Sequence, residues 1–409
     1  MKPIRMIALF DYNSFTGFAT VSKNLVSNWK KTFGDNLKLD IVGVNYFGED
    51  YTEGDNIRVI SAKQKDIRKD DFGRYVFMNW IINGDYDLIF ILQDLGVIVP
   101  IIPLLKKFNE DKKKANRKQF KSIFYFPVDF PLTPNLGKEL EFFDFLATYT
   151  EYGKFHALQI NPNIKSKLRV IPHGNNMKNY YPLPENERQA FRNEYFKENA
   201  GKFIVGSVNR NQSRKDIPTT IFGFLEYWEN YNKNSLLYLH MNPKDPMGWD
   251  LRTILAQTPL KEGIDYMFPP EEDYNKGADV SKLNKIYNSL DVFLSTATGE
   301  GWGLTITEAM ATKTPIVVPN HTSIKEIIND GERGYPLNTL YPIVAMVDNI
   351  IRFQSDIYEI ADILDDVRNG IEKNSLFLKE KTDKAYKYVE SLNWEKIAKE
   401  FSDQIKRLA

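Results

Sequence analysis

The chain has 409 residues, more than one hydrophobic core usually supports, so two domains are expected. Its 54 Lys and Arg residues balance its 54 Asp and Glu residues, which excludes a global electrostatic attraction to nucleic acid or anionic membranes. The sequence holds no cysteine, which excludes disulfides and thiolate metal sites.

Short apolar runs alternate with helical or polar segments through the first half of the chain. The runs predicted to be strands are 4–10, 39–45, 57–60, 88–92, 122–128, 145–149 and 169–171. This alternation predicts an α/β fold with a doubly wound parallel sheet. The first run is too short for a signal peptide, and no run approaches the ~20 apolar residues of a membrane span, so we expect a cytoplasmic protein.

Two residues of this half lie where predicted strands end. Gly17 stands at the turn between the first strand and a helix whose apolar residues recur at helical spacing from Phe18 to Trp29. Asp129 follows the strand 122–128 between prolines, at the carboxyl end where open α/β sheets bind ligands. Its carboxylate could accept hydrogen bonds from sugar hydroxyls or take a proton, and the alternative is a residue that caps a turn.

Positive charge is concentrated in residues 106–121, where eight Lys or Arg residues stand against two acidic residues. Lys112, Lys113 and Lys114 form the centre of this segment. It predicts contact with lipid headgroups, as in a protein held peripherally at a membrane, or with DNA phosphates. The alternative is an ordinary solvated helix and loop.

A linker at 172–184 precedes the second half, which opens with a buried strand. Arg210 and Lys215 follow that strand directly and precede a helix that starts near Pro218, a residue favoured in the first helical turn. Cations between a strand end and a helix suit a diphosphate, and Arg214 could substitute for either of them. The alternative is a solvated basic turn.

The stretch 291–318 combines a short apolar strand, a glycine-rich loop, a helix and a second apolar strand. The loop contains Gly301 and Gly303, and the helix begins at Leu304. Peptide N–H groups and the helix dipole attract phosphate at such a helix start, and glycines let the backbone approach closely. The stretch therefore predicts an anion site within a βαβ unit.

Two glutamates frame this loop: Glu300 lies within it, and Glu308 lies about one turn inside the helix. Because a carboxylate would repel a diphosphate, we expect both side chains to accept hydrogen bonds from sugar hydroxyls. The alternative is an ordinary βαβ crossover with two solvated glutamates.

The stretch belongs to a second predicted parallel sheet, whose strands are 203–208, 236–240, 266–268, 292–295 and 316–318. The last segment of the chain predicts an amphipathic helix, with an apolar face formed by Trp394, Ile397, Ala398 and Phe401.

The segments Glu-Gly-Trp-Gly-Leu at 300–304, Glu-Ala-Met-Ala at 308–311 and Pro-Ile-Val-Val at 315–318 resemble the donor-site signature of retaining glycosyltransferases of the GT-B fold, family 4 type. The resemblance implies two Rossmann-like domains that face a central cleft. Their expected limits are 1–180 for an acceptor-side domain, 181–392 for a nucleotide-sugar-binding domain, and 393–409 for a helix that crosses back to the first domain.

The resemblance also assigns roles to single residues. Glu300 would face the donor sugar, and Glu308 would hold the ribose hydroxyls. Arg210 and Lys215 would neutralise the departing nucleoside diphosphate. Gly17 would lie in the loop that closes over the donor phosphates.

Some positions depart from the family pattern, and one resembles the end of the family's first domain. Asp129 stands where the family commonly has a His that contacts the donor sugar. His173, in the segment Ile-Pro-His-Gly-Asn, resembles the end of the family's first domain and is a candidate cleft residue. Thr312 and Lys313 replace a small residue and Gly, which concerns the end of the helix and not the donor site.

The implied reaction is the transfer, with retention of configuration, of a hexose-type sugar from a UDP- or GDP-sugar to an acceptor hydroxyl. No metal or cofactor beyond the donor is expected, since the four histidines are widely separated and Asp85 and Asp87 precede their strand instead of following it. The acceptor would be a glycan, a glycolipid or a hydroxymethylated DNA base of a phage. The alternatives are a phosphorylase or sugar epimerase on the same fold, and a non-catalytic nucleotide- or nucleic-acid-binding module.

Overall fold

The computed structural model describes residues 2–14, 16–63, 70–275, 277–345 and 349–409. These residues form two compact units. The first unit consists of residues 1–174 together with 393–409, and the second consists of residues 175–392.

A single sheet forms the centre of the first unit. Its strands are β1 (Ile4–Asp11), β2 (Leu37–Val44), β3 (Tyr51–Glu53), β4 (Ile57–Ser61), β5 (Leu88–Leu92), β6 (Lys121–Phe126), β7 (Phe145–Thr148) and β8 (Leu168–Val170). Within the described ranges their order is β3-β4-β2-β1-β5-β6-β7-β8. The pair of β3 and β4 is antiparallel, and every other pair is parallel.

Helices connect the parallel strands of this sheet. They are α1 (Gly17–Phe33), α2 (Arg74–Asn83), α3 (Leu95–Ile98), α4 (Ile102–Lys114) and α5 (Glu151–Ile160). Trp29 of α1 is fully buried and packs edge-on against Phe90 of β5, with ring centroids 4.9 Å apart. Every residue of β5 is buried, as expected for a central parallel strand with both faces covered.

The second unit has its own parallel sheet. Its strands are β9 (Phe203–Val208), β10 (Ser235–His240), β11 (Tyr266–Met267), β12 (Val292–Leu294), β13 (Ile316–Pro319) and β14 (Tyr335–Leu337). Their order over the described residues is β11-β10-β9-β12-β13-β14, and all pairs are parallel.

The helices of the second unit are α6 (Glu185–Phe196), α7 (Ile217–Asn230), α8 (Leu251–Leu255), α9 (Glu271–Asn275), α10 (Val280–Ser289), α11 (Leu304–Ala311), α12 (Thr322–Ile328), α13 (Ile357–Glu372) and α14 (Leu376–Ser391). An antiparallel hairpin of β15 (Thr339–Val344) and β16 (Ile351–Ser355) follows β14. Gln354 of this hairpin donates a hydrogen bond to the carboxylate of Asp216 at 3.0 Å. The hairpin is therefore attached to the loop that follows β9.

The final helix, α15 (Trp394–Leu408), belongs to the first unit. Its buried face carries Phe401, whose ring centroid lies 5.4 Å from that of Phe90 and 4.8 Å from that of Tyr125. A Cβ atom at Gly174 would lie 2.5 Å from the ring of Trp394, so only glycine allows this close approach. The predicted return of the C-terminal helix to the first domain is confirmed.

The prediction of two doubly wound α/β units is confirmed as well, with one difference in the first sheet. That sheet is mixed, because β3 adds an antiparallel strand at its edge. β3 has three residues, none of them buried, and so lacks the apolar run by which the other strands were predicted.

Candidate functional site

The predicted cationic loop and the glycine-rich loop meet at the carboxyl ends of two neighbouring strands, β9 and β12. The N–H of Thr298 donates to the carbonyl of Arg214 at 2.8 Å. The hydroxyl of Thr296 donates to the carbonyl of Asp216 at 2.8 Å. These contacts fix the backbones of the two loops to each other.

Glu300 forms ion pairs with two cations of the neighbouring loop. Its Oε2 accepts a hydrogen bond from Nη1 of Arg214 at 2.9 Å, and its Oε1 accepts one from Nζ of Lys215. Glu300 is 5% exposed and Lys215 is 8% exposed. Burial alone would raise the pKa of Glu300, but the charges and hydrogen bonds of Lys215 and Arg214 outweigh burial and lower that pKa to about 2. Glu300 is therefore a carboxylate throughout the physiological pH range.

Further hydrogen bonds fix the backbone around Glu300. The hydroxyl of Ser323 donates to the carbonyl of Glu300 at 2.7 Å and to that of Trp302 at 3.1 Å. The N–H of Glu300 donates to the hydroxyl of Thr322 at 3.3 Å. The loop therefore reaches the start of α11 in a defined conformation.

The start of α11 has the features of an anion site. Gly301 is buried in the loop, and Gly303 caps the helix with a φ of 99°, a left-handed conformation that glycine adopts without strain. Leu304 is the first helical residue. The N–H groups of the first turn have no partner within the helix, and the helix dipole is positive here. The predicted anion-binding elements thus stand beside the Lys215–Glu300 pair.

The cations of the loop after β9 differ in their surroundings. Arg214 donates to the carbonyl of Gly299 at 3.0 Å as well as to Glu300, and its side chain is 33% exposed. Arg210 donates from Nε to Oδ2 of Asp245 at 2.8 Å, and its side chain is 56% exposed. Arg214 therefore helps to hold Glu300, whereas Arg210 lies at the surface of the loop, where its side chain can reorient towards a ligand.

Glu308 lies one turn inside α11, with part of the residue exposed but its carboxyl group enclosed by protein. Its carboxylate accepts a hydrogen bond from the hydroxyl of Tyr287 at 2.8 Å and another from Tyr180. Burial raises the pKa of Glu308 to about 7, although the two tyrosines act in the opposite direction. Glu308 therefore changes charge near neutral pH.

In the first unit, α1 begins at Gly17, and its capping residue is Thr16. The loop before it is held by Asp11, which ends β1 and is 1% exposed. Asp11 accepts hydrogen bonds from Ser14 at 3.0 Å, from Thr16 at 3.0 Å and from Asn45 at 3.2 Å. Sequence analysis missed Asp11, although its position at a strand end was a usable signal.

Asp129 lies partly exposed in the loop after β6. Near it lies Tyr149, whose pKa is raised well above its ordinary value by burial first, and then by the charges of groups that include Asp94 and Asp129. The carboxyl edge of the first sheet thus gathers two carboxylates and a buried phenol.

His173 lies inside the first unit, with 3% of its surface exposed. Its Nδ1 is 2.8 Å from the hydroxyl of Tyr125, and its ring centroid is 4.0 Å from that of Tyr149. Burial lowers the pKa of His173 to about 3, so its ring is neutral at physiological pH.

The chain is similar to several known proteins. The family described as glycosyl transferases group 1 matches residues 276–356, which include Glu300, Glu308 and α11. A probable sucrose-phosphate synthase of Thermosipho melanesiensis is 24% identical over 279 residues, which cover 66% of this chain and 55% of that protein. The chain thus spans about half the length of this curated relative.

Two solved structures match over nearly their entire length. Sucrose-phosphate synthase from Thermosynechococcus elongatus has a TM-score of 0.73 at 16% identity, covering 100% of this chain and 99% of that chain. Anabaena HepE in complex with UDP-glucose has a TM-score of 0.68 at 12% identity, covering 99% of this chain and 100% of that chain. The chain has the GT-B fold.

In the first unit, the basic segment 106–121 covers the end of α4 and the start of β6. Lys112 is buried, and its Nζ lies 3.7 Å from the carboxylate of Asp85. Lys113 and Lys114 are exposed. The segment lies at the amino edge of the first sheet, because β6 starts there, whereas Asp129 lies beyond the carboxyl edge.

Several other cations of this segment are paired with acidic residues. Lys118 lies 2.6 Å from a carboxylate oxygen of Asp87, and Lys121 lies 3.0 Å from one of Asp144. Asp87 also accepts a hydrogen bond from the N–H of Arg5 at 2.9 Å, so it joins the starts of two strands. Part of the positive charge read from the sequence is therefore neutralised locally.

In the ranges that the structure describes, no three His, Asp or Glu side chains are close enough together to hold a metal ion. None of the helices formed by those residues has the length and apolar composition that crossing a bilayer requires.

Sequence analysis also missed the hydrogen-bond partners of the two glutamates. Thr322 and Ser323 begin α12, two residues beyond the carboxyl end of β13, so the rule that ligands bind at carboxyl ends of strands could have found them. Tyr180 and Tyr287 carry no such signal, because one lies in the linker and the other lies in α10.

Proposed function

We propose that the protein transfers a hexose-type sugar from a UDP- or GDP-sugar to an acceptor hydroxyl, with retention of configuration and without a metal. The observation that carries the proposal is the buried pair of Lys215 and Glu300 beside the start of α11. The similarity to HepE, which was solved with UDP-glucose, supports the donor class.

In the proposed reaction, the bond between the sugar C1 and the diphosphate oxygen breaks, and its electron pair stays on the diphosphate. The acceptor oxygen bonds to C1 on the same face, and its proton passes to the departing diphosphate. Lys215, Arg210 and the N–H groups at Leu304 stabilise the developing negative charge, as a metal ion does in other transferases. No covalent intermediate with the protein is required.

Glu300 would act in two ways. Without donor, it neutralises one of the charges of Arg214 and Lys215 and keeps both side chains in place. When a diphosphate approaches these cations, the Glu300 carboxylate becomes available to accept hydrogen bonds from the donor sugar. Its low pKa supports this role, because the group never needs to lose a proton first.

The remaining roles follow the same logic. Glu308, which already accepts hydrogen bonds from Tyr287, would accept further ones from the ribose hydroxyls. Gly17 is the proposed contact for donor phosphates, and Asp129 is the proposed acceptor of a hydrogen bond or proton from a substrate hydroxyl.

The acceptor is proposed to be a glycan, a glycolipid or a hydroxymethylated DNA base. A polyanionic acceptor would be attracted by the exposed Lys113 and Lys114, whereas the buried Lys112 serves the fold through Asp85. This attraction would be independent of donor chemistry.

The proposal is tested by incubating the protein with a panel of UDP- and GDP-sugars, first alone and then with each class of acceptor. We expect one donor to be hydrolysed slowly and transferred faster, with NMR showing the same anomeric configuration in product and donor. Lys215→Ala should abolish both reactions, and Lys233→Ala, which changes an exposed lysine of the same unit, should leave them unchanged. Donor binding without turnover would instead favour the non-catalytic binding module, and inversion would overturn the retaining mechanism.

A further inference from the structure

The hairpin of β15 and β16 is attached to the second unit by polar side chains. Along β16, Arg352 is 5% exposed and Gln354 is partly buried, whereas Ile351 is 60% exposed and Phe353 is 46% exposed. Strands that pack on a core ordinarily do the reverse, because they bury their apolar side chains and expose the polar ones. Apolar burial therefore does not explain where β16 lies, and the contacts of its polar side chains determine its position.

Gln354 contacts a buried carboxylate in the loop that follows β9. Its Nε2 donates to Oδ2 of Asp216 at 3.0 Å, and the hydroxyl of Thr219 donates to the same oxygen at 2.7 Å. Asp216 is 4% exposed. Burial raises the pKa of Asp216, and the hydrogen bonds from Thr219 and Gln354 act in the opposite direction. Gln354 thus helps to stabilise the ionised form of a buried carboxyl group.

Asp216 is the residue after Lys215 and has an unusual backbone conformation. It ends the single helical turn Ser213–Lys215, precedes α7 and has a φ of 46°, in the left-handed region. This region is disfavoured for residues other than glycine, although Asp and Asn tolerate it. The carbonyl of Asp216 also accepts a hydrogen bond from Thr296 at 2.8 Å. Contacts of both its side chain and its backbone therefore hold the turn that carries Lys215.

A second side chain of β16 acts on the same region. Burial lowers the pKa of His321, the residue before α12, to about 4, while the charge of Glu300 acts to raise this pKa and the charge of Arg352 acts to lower it. Charged groups shift a pKa when they lie nearby. Arg352 and Glu300 therefore act on one imidazole, which places this part of β16 beside the Glu300 loop.

We propose that the hairpin positions Lys215 for the transfer reaction, with Gln354 as the positioning residue that acts through Asp216. Without Gln354, the buried carboxylate of Asp216 would lose a donor and would bind a proton or turn towards water. Either change relaxes the left-handed residue next to Lys215, whose Nζ then loses its fixed place against Glu300. The effect on catalysis rests on the proposed function, whereas the link from Gln354 to the turn does not.

Donor turnover by the full chain tests the role of Gln354. Gln354→Ala should lower kcat about tenfold, the scale of a lost hydrogen bond to a charged group, and should change the KM for the donor less than about threefold. The effect falls mainly on kcat because Lys215 stabilises charge that develops as the bond breaks. Gln257→Ala changes an exposed glutamine of the same unit and should match the wild type in both constants. Wild-type kcat in Gln354→Ala would overturn the proposal.

A double-mutant cycle tests whether Gln354 acts through Asp216. Asp216→Gly removes the carboxylate and leaves a residue that adopts the left-handed conformation without strain. Asp216→Gly, Gln354→Ala and the double variant should all lower kcat by about the same factor, because each breaks the same link. Melting temperatures near that of the wild type show that the three variants fold. A double variant whose loss equals the product of the two single losses would show that Gln354 acts by another route.

Hydrogen exchange tests the link independently of any reaction. The N–H groups of Lys215, Asp216 and Thr219 all donate to carbonyls of this turn or of the residues beside it. The peptide that contains them should exchange at least about fivefold faster in Gln354→Ala than in the wild type, and at the wild-type rate in the control variant. Unchanged exchange would overturn the link. If exchange is faster and the wild type turns over no donor, the proposed function fails and the link stands.

Discussion

Lys215 and Glu300 form a buried ion pair between residues that are 85 positions apart in the chain. A buried pair of this kind is often no more stabilising than well-packed apolar side chains would be, because both charges lose their hydration. Its value here is positional, since it holds a cation beside the start of α11.

Glu300→Gln should lower the free energy of unfolding by roughly 3 kcal/mol, because it leaves Lys215 buried without its counter-charge. The effect should depend on pH. The pKa of Glu300 is depressed to about 2 in the folded state, so its stabilising contribution is present above the ordinary pKa of 4.5 and is lost as pH falls towards 2.

Thermal unfolding at a series of pH values checks this prediction. The wild type should lose stability more steeply than Glu300→Gln as the pH falls below about 4.5. Glu198→Gln, which changes an exposed carboxylate of the same unit, serves as the control. Curves for Glu300→Gln and wild type that differ by a constant amount would show that the carboxylate is not held as an ion pair.

Replacing the cations of the loop after β9 should distinguish effects on catalysis from effects on stability. Arg210→Ala should lower kcat at least about 100-fold while changing stability by less than about 1 kcal/mol, because the Arg210 side chain is 56% exposed and Asp245 keeps a hydrogen bond from the N–H of Met247. Arg214→Ala should lower stability as well, since Arg214 holds Glu300. Kinetics and denaturant titration of both variants check this. Wild-type kcat in Arg210→Ala would assign the diphosphate to Arg214 and Lys215 alone.

Glu308→Ala should weaken donor binding by about 1.5–3 kcal/mol, the scale of charge-assisted hydrogen bonds. Glu308→Gln should change the pH dependence of stability. Burial raises the pKa of Glu308 from 4.5 to about 7 in the folded state, so the folded state binds this proton more tightly than the unfolded state does. The stabilisation that results is complete below pH 4.5 and is lost as the pH rises through 7. The stability of Glu308→Gln relative to that of the wild type should therefore be higher at pH 8 than at pH 5.

Calorimetry with the donor and melting curves at pH 5 and pH 8 provide the two measurements. The donor affinity of the wild type should also increase between pH 6 and pH 8, as the carboxylate forms. Tyr341→Phe, which changes an exposed phenol far along the chain, is a suitable control for purification and assay. Donor affinity that does not change in Glu308→Ala would remove Glu308 from the ribose.

Donor turnover should persist in excess EDTA, because Lys215, Arg210 and the helix start supply the positive charge that a metal would otherwise supply. The assay compares initial rates with EDTA, with added Mg²⁺ and with added Mn²⁺. A rate that disappears in EDTA and returns with either metal contradicts the metal-free mechanism.

Lys113→Ala/Lys114→Ala should reduce the salt dependence of binding to a polyanionic acceptor. Each phosphate contact contributes about 0.9 to the slope of log K against log salt, so the double variant should lower the slope by about 1.8. Hydroxymethylated duplex DNA and anionic vesicles are the two test surfaces, and Lys396→Ala/Lys399→Ala is the matched control on α15. An unchanged slope on both surfaces would make the segment 106–121 an ordinary solvated surface.

Much of the fold was predictable because most strands of a parallel α/β sheet have a local apolar signal, whereas β14, which holds a proline and is only partly buried, was not predicted. The meeting of the Lys215 loop with the Glu300 loop was predictable for a related reason, since carboxyl ends of parallel strands share one edge. The partners of single side chains were not predictable. Arg210 and Arg214 look equivalent in the sequence, and only the packed structure shows that one binds Asp245 and the other binds Glu300.

Burial of charged residues was equally hard to predict. Lys112 resembles its exposed neighbours in sequence, yet its aliphatic chain is covered and its Nζ lies 5.7 Å from the ring centroid of Phe108. The pKa of Glu308 depends on tyrosines from two distant segments. Such contacts arise from packing between elements, for which a single sequence gives no periodic signal.

The packing of α15 on the first unit has a consequence for how the protein is made. Residues 393–409 are synthesised after the whole second unit, so Phe90 and Tyr125 lack the covering ring of Phe401 while the ribosome makes the intervening chain. The first unit therefore reaches its native packing after the second unit has been translated, although domains usually complete in the order of synthesis. A fragment that ends at Gly174 would expose this apolar surface, and expressing the first unit alone requires residues 393–409 to be joined to it.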